Sequence, residues 1–111
     1  MSTTTYMQYT KPFEKAQAET LVSLLLERDY TVSVNDGEEW TVKKSADRGV
    51  ILEAMGSTDS DTLRARSADG QFVADFVLIY GNGPGELIAD HTANDAAESL
   101  WAAFAARHPL R

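Results

Sequence analysis

Asp90, His91 and Thr92 stand in a row where a short apolar run gives way to a polar one. A histidine beside a carboxylate can serve as a general base, because imidazole exchanges its proton near neutral pH. No nucleophile stands at a recognisable spacing from the pair, and local hydrogen bonding ahead of a helix accounts for the same residues. Asp75 is the other candidate. It falls mid-strand among Val73, Val77 and Ile79, so its carboxylate is either buried with a raised pKa or exposed on an uncovered face. Pairing with Arg64 or Arg66 across a hairpin is expected, since an unpaired buried charge is expensive. A small hydrolase or transferase would have to work through Asp75, or through Asp90 and His91, in a pocket converging on them.

Other patterns lead back to structure. Gly81, Gly83 and Gly85 have the spacing of a phosphate loop, but they join two strands, no Lys follows, and Pro84 removes a backbone donor. His91 and His108 fall at opposite ends of one helix, too far apart to share an ion. Asp59-Ser60-Asp61 opens like a calcium loop without its glycine or closing Glu. No metal and no cofactor is expected. The absence of Cys removes disulfides, thiolate ligands and thiol nucleophiles together.

Charge is the strongest remaining signal. Between Arg66 and Arg107 there is no Lys or Arg, while six carboxylates stand there: Asp69, Asp75, Glu86, Asp90, Asp95 and Glu98. Seventeen acids against ten bases give a net charge of -7. That balance argues against direct binding of nucleic acid or of an anionic membrane, and implies a basic partner if the charge has a purpose. Asp36, Glu38 and Glu39 add an acidic hairpin tip. The candidate partner contacts are Asp36, Glu38, Glu39, Asp59, Asp61, Glu86, Asp90, Asp95 and Glu98, with the last four and Asp69 forming a rim that the 36–39 tip could join.

The elements that must hold these residues follow from periodicity. Residues 1–10 read as a tail pinned by Tyr6 and Tyr9. A helix is predicted over 11–28, with Pro12 in its first turn and Phe13, Ala16, Leu21, Leu24 and Leu25 on one face. Residues 30–34 and 39–43 alternate with period two around Asn35-Asp36-Gly37-Glu38, a hairpin signal that places Val32, Val34, Trp40 and Val42 on the buried face. Over 45–55 a helix capped by Ser45 and ended by Gly56 competes with a buried strand at Val50-Ile51-Leu52. Strands follow at 62–66, 71–80 and 86–90. The longest, with Phe72, Ala74, Phe76, Leu78 and Tyr80 on one face, is apolar on both sides and so is expected inside the sheet. A helix over 92–107, capped by Thr92 and stopped by Pro109, closes the chain with Ala97, Leu100, Trp101 and Phe104 inward.

The 111 residues suit one domain over 11–111. The expected fold is α+β, an antiparallel sheet of about five strands in the order αββαβββα with two long helices on one face. No signal peptide or membrane span is evident, which points to a soluble cytoplasmic protein. Val32 to Trp40, Ser57-Thr58-Asp59 and Tyr80 to Thr92 resemble small acidic accessory proteins of phages, prophages and plasmids, some of which are anti-CRISPR inhibitors. The resemblance covers most of the chain and implies a host-targeting or element-maintenance role. It carries over no functional residue. The expected function is therefore a non-enzymatic inhibitor that places its acids, as a DNA mimic, on the basic nucleic-acid-binding surface of a Cas subunit, surveillance complex or other defence complex. A housekeeping binding module of a mobile element, monomeric or homodimeric, is the further alternative to an enzyme.

Overall fold

The computed structural model describes residues 12–81 and 87–107, with side chains from Glu14 onward. Residues 1–11 with the expected tail, the side chain of Phe13, residues 82–86 with Glu86, and His108 and Pro109 lie outside the described residues. The helix α1 (Pro12–Glu27) leads into the strands β1 (Thr31–Asn35) and β2 (Trp40–Ser45). A short helix α2 (Arg48–Ala54) separates them from β3 (Ser60–Arg66), β4 (Phe72–Ile79) and β5 (Ile88–His91), and α3 (Asp95–Arg107) follows. The strands form one antiparallel sheet in the spatial order β2-β1-β3-β4-β5. No described helix is long and apolar enough to cross a membrane.

Local chemistry sets the breaks. α1 buries Ala18, Leu21, Val22 and Leu25 at helical spacing. It ends at Asp29, which takes a left-handed φ of 62° while the Asp29 and Tyr30 amides donate back to the carbonyls of Leu26 and Leu25. The β1–β2 turn is held by Asn35 Oδ1, which accepts from Gly37 N at 2.8 Å, and Asp36 Oδ1, which accepts from Glu38 N at 2.9 Å. Two expected caps move. Asp47 rather than Ser45 caps α2, accepting from Val50 N at 3.1 Å. Asn94 rather than Thr92 caps α3, accepting from Ala97 N at 2.8 Å, because Thr92 Oγ1 is already taken by the amide of Asp75 at 2.9 Å.

One face of the sheet carries Val32, Val34, Leu63, Ala65, Ala74, Phe76 and Leu78 into the core shared with α1, α2 and α3. Each large side chain taken fully out of water there contributes about 1.5–3 kcal/mol. The alternate residues of β3 and β4, including Thr62, Arg64, Arg66, Asp75 and Val77, are half-buried on the outer face. Trp40, expected on the buried face, and Phe72, expected on the face shared by Ala74 and Phe76, both stand on this outer face instead. Asn35 pairs with Trp40 while Val34 pairs with Val42, so Thr41 is an extra residue that puts Trp40 out of phase. Arg66 pairs with Phe72 while Ala65 pairs with Ala74, and the extra Val73 turns Phe72 outward, 49% exposed.

Candidate ligand-binding groove

Ser33, Trp40, Lys43, Lys44, Arg64 and Arg66 line a shallow groove of about 160 Å³ on the outer face, across β2, β1 and β3. Arg64 is its centre. Its Nε donates to Asp75 Oδ1 at 2.9 Å and its Nη2 to Oδ2 at 3.1 Å, the two-point geometry that suits guanidinium and carboxylate. The Asp75 hydrogen bond holds the Arg64 pKa above its already high ordinary value. The guanidinium carbon also sits 4.8 Å from the centroid of the Trp40 ring and 5.6 Å from that of Phe72, within range of cation–π attraction. The strand irregularities that displaced Trp40 and Phe72 from the core are what bring them here.

A third irregularity brings the lysines. Val34 pairs with Val42 and Val32 with Ser45, so Lys43 and Lys44 together oppose Ser33. Lys44 adopts a φ of 53°, a region that costs a non-glycine residue about 1–2 kcal/mol. Its amide donates to Ser33 Oγ at 2.9 Å. Arg66 donates from Nη1 to Gly70 O at 3.4 Å, and its Nε is buried with no partner among the described residues. Asp75 neutralises Arg64, whereas Lys43, Lys44 and Arg66 make no ion pair among the described residues. The groove is therefore net positive in a chain that is net negative. A second hollow, of about 450 Å³, is lined by Leu26, Asp29, Tyr30, Thr31, Ala46 and Ala68 and offers a single carboxylate.

The acids singled out from sequence do not gather on one surface. Asp36, Glu38, Glu39 and Asp59 meet at one end of the sheet. There the Thr58 hydroxyl lies 2.9 Å from Asp36 O and 2.8 Å from Ser60 O, donating to one at a time and tying the hairpin tip to the next loop. Backbone hydrogen bonds from Glu38 and Glu39 hold the Asp36 carboxyl below its usual range. Asp90, Asp95 and Glu98 are exposed along β5 and the start of α3. β2 and β5 are opposite edges of the sheet, four strand spacings or roughly 19 Å apart. The 36–39 tip thus stands away from Asp90, Asp95 and Glu98, the described acids at the β5 side of the sheet.

Asp61 requires a correction. It is 1% exposed and faces the core in phase with Leu63 and Ala65, so it offers no surface contact. Its Oδ2 accepts from the Tyr80 hydroxyl at 2.5 Å and from Gly56 N at 2.8 Å, while Oδ1 has no partner among the described residues. Burial pushes its pKa up to about 6, against the opposing pull of the Tyr80 and Gly56 hydrogen bonds. Tyr80 is pushed upward as well, first by burial and then by the Asp61 charge.

The residues considered for catalysis are otherwise engaged. Both Asp75 oxygens accept from Arg64, as the cross-hairpin pairing predicts. Asp90 Oδ1 accepts from the backbone amide of His91 at 2.8 Å, not from its ring. The His91 Nδ1 lies 2.9 Å from Thr92 O, and the ring lies 6.1 Å from the rings of both Phe76 and Trp101. No described group of three or more His, Asp or Glu side chains could hold a metal. Sequence reasoning missed Trp40, Lys43, Lys44, Arg64, Arg66 and Phe72 as a set. The available signal was Lys43-Lys44 interrupting an alternating strand directly after Trp40. Comparison with family models, with curated proteins and with solved structures returns no match.

Proposed function

We propose that this chain is a non-enzymatic binding protein that receives an anionic ligand on the outer face of its sheet. The carrying observation is the convergence of Lys43, Lys44 and Arg66, none in an ion pair among the described residues, around the Trp40–Arg64 stack. Local charge rather than net charge governs such a site, because exposed charges more than about 8 Å away are largely screened at physiological salt. The engagement of Asp75, Asp90 and His91 in structural hydrogen bonds supports a binding over a catalytic role. Titration with inorganic polyphosphate, followed calorimetrically, tests the reading. Binding should weaken as salt rises and fall roughly tenfold or more in a Lys43→Gln, Lys44→Gln double variant. Binding unaffected by that double variant would refute it.

A second reading uses the opposite charge. The protein would be an inhibitor from a phage or mobile element whose acidic corner docks on a basic nucleic-acid-binding surface of a CRISPR-Cas or other defence complex. The Thr58 tie favours it, because it fixes Asp36, Glu38, Glu39 and Asp59 in one place before any partner arrives. Glu86, Asp90, Asp95 and Glu98 remain its further candidate contacts. A pull-down from a CRISPR-positive bacterial lysate should recover a Cas subunit, and reversing the charges of Asp36, Glu38 and Glu39 should abolish the recovery. Recovery that survives those reversals would remove this corner as the docking site.

A further inference from the structure

We propose that the anion received by the groove is the backbone of a single-stranded nucleic acid, with a base stacking on the Phe72–Arg64–Trp40 array. The proposal rests on the anion-binding reading above and adds the ligand class to it. Its first support is Phe72. Among the described residues, Val50 and Phe72 are the exposed large apolar side chains. Phe72 is exposed because one inserted residue, Val73, turns it from the core to the face that carries the cations. Inserted residues of this kind re-aim side chains beside sites. A guanidinium flanked by two rings, Trp40 at 4.8 Å and Phe72 at 5.6 Å, offers flat surfaces of the kind on which unpaired bases stack.

Size and charge narrow the ligand further. A groove of about 160 Å³ is too small to enclose a drug-sized molecule, whose pockets run to roughly 300–1,000 Å³. It can admit one planar or phosphate-sized group while the rest of a chain passes over the open sheet. Lys43, Lys44 and Arg66 give three cations outside any described ion pair, which for a single strand predicts a slope of about -2 in log affinity against log salt. A duplex keeps its bases stacked inside and leaves the aromatic array unused. An acidic peptide would satisfy the cations but not the rings. The overall acidity that argued against nucleic acid does not describe this face, since four of the chain's ten bases line the groove.

The test uses the whole chain carrying Trp101→Phe, so that Trp40 is the remaining tryptophan and is excited selectively. The titrants are oligothymidylate, an abasic strand of equal length and charge, polyphosphate and poly-glutamate. Oligothymidylate should quench Trp40 and bind roughly 5- to 150-fold more tightly than the abasic strand, the range expected for one stacked base. Phe72→Ala should remove most of that advantage, bringing oligothymidylate close to the abasic strand in affinity. Equal affinity for the two strands, or a preference for poly-glutamate over oligothymidylate, would overturn the proposal while polyphosphate binding kept the anion reading. Failure to bind any of the four polyanions would overturn both.

Discussion

Replacing Asp61 by Asn should stabilise this protein by about 2 kcal/mol at neutral pH and cost it about 1 kcal/mol in acid. The carboxyl is buried, its pKa lies at about 6, and the ordinary value is 3.8. The folded chain therefore holds the proton more tightly than the unfolded chain, and ionisation favours unfolding. Below about pH 4 both states are protonated and the full stability is present; it is lost as pH rises from about 4 to about 6. At 1.36 kcal/mol per pH unit, the deficit at neutral pH is roughly 3 kcal/mol. Asn keeps an oxygen for the Tyr80 hydroxyl and the Gly56 amide, but its NH₂ group points where Oδ1 now has no partner among the described residues. That unmet donor costs about 1 kcal/mol, which leaves a net gain of about 2 kcal/mol at neutral pH. Urea unfolding of both proteins from about pH 4 to about pH 7.5 measures it, provided the slopes stay equal. If the variant is the less stable at neutral pH, and the difference between the two proteins does not change with pH, burial is not what governs this carboxyl.

Three further outcomes follow from the same geometry. Lys44→Gly should raise stability by about 1 kcal/mol by relieving the left-handed φ, yet weaken polyphosphate binding, so that stability and binding move in opposite directions. Asn94→Ala should cost about 1 kcal/mol in thermal or urea unfolding, as loss of a helix cap does. Phe76→Ala should cost about 3–5 kcal/mol and threaten folding, whereas Phe72→Ala, two turns of the pleat away but outside the core, should change unfolding by less than about 1 kcal/mol.

The contrast between Phe72 and Phe76 shows what a sequence can and cannot convey. Alternation in 71–80 revealed a strand with neighbours on both sides, and Asn35-Asp36-Gly37 revealed the first hairpin, because both are signals of local backbone preference. The expected α+β class and five-stranded antiparallel sheet are present for that reason. A single inserted residue leaves a strand recognisable but reverses the face of what precedes it, and periodicity cannot locate it. Trp40 and Phe72 were assigned to the wrong face on this account. Asp61 was open to a better reading: extending the 62–66 strand back by one residue puts it in phase with Leu63 and Ala65. The groove itself was not legible, because Lys43 and Arg64 belong to separate hairpins and come to flank Ser33 only when β3 pairs with β1. The acidic gap after Arg66 was visible at once, but its described residues divide among the β3–β4 turn at Asp69, the outer face of the sheet at Asp75, an edge strand at Asp90 and a helix start at Asp95 and Glu98.

The seam between β1 and β3 joins residues as far apart in the chain as Thr31 and Arg66. On one side of it lies the hairpin of β1 and β2 with Trp40, Lys43 and Lys44; on the other lies the hairpin of β3 and β4 with Arg64, Arg66 and Phe72. Each hairpin is a local structure that can form quickly, while the seam must wait for distant segments to meet. Half of the groove therefore belongs to each of two early-forming pieces, and neither half can hold a ligand alone. A ligand lying across the seam acts as a clasp on the last joint to close, so its affinity and the slow exchange of the β1–β3 amides are expected to rise and fall together.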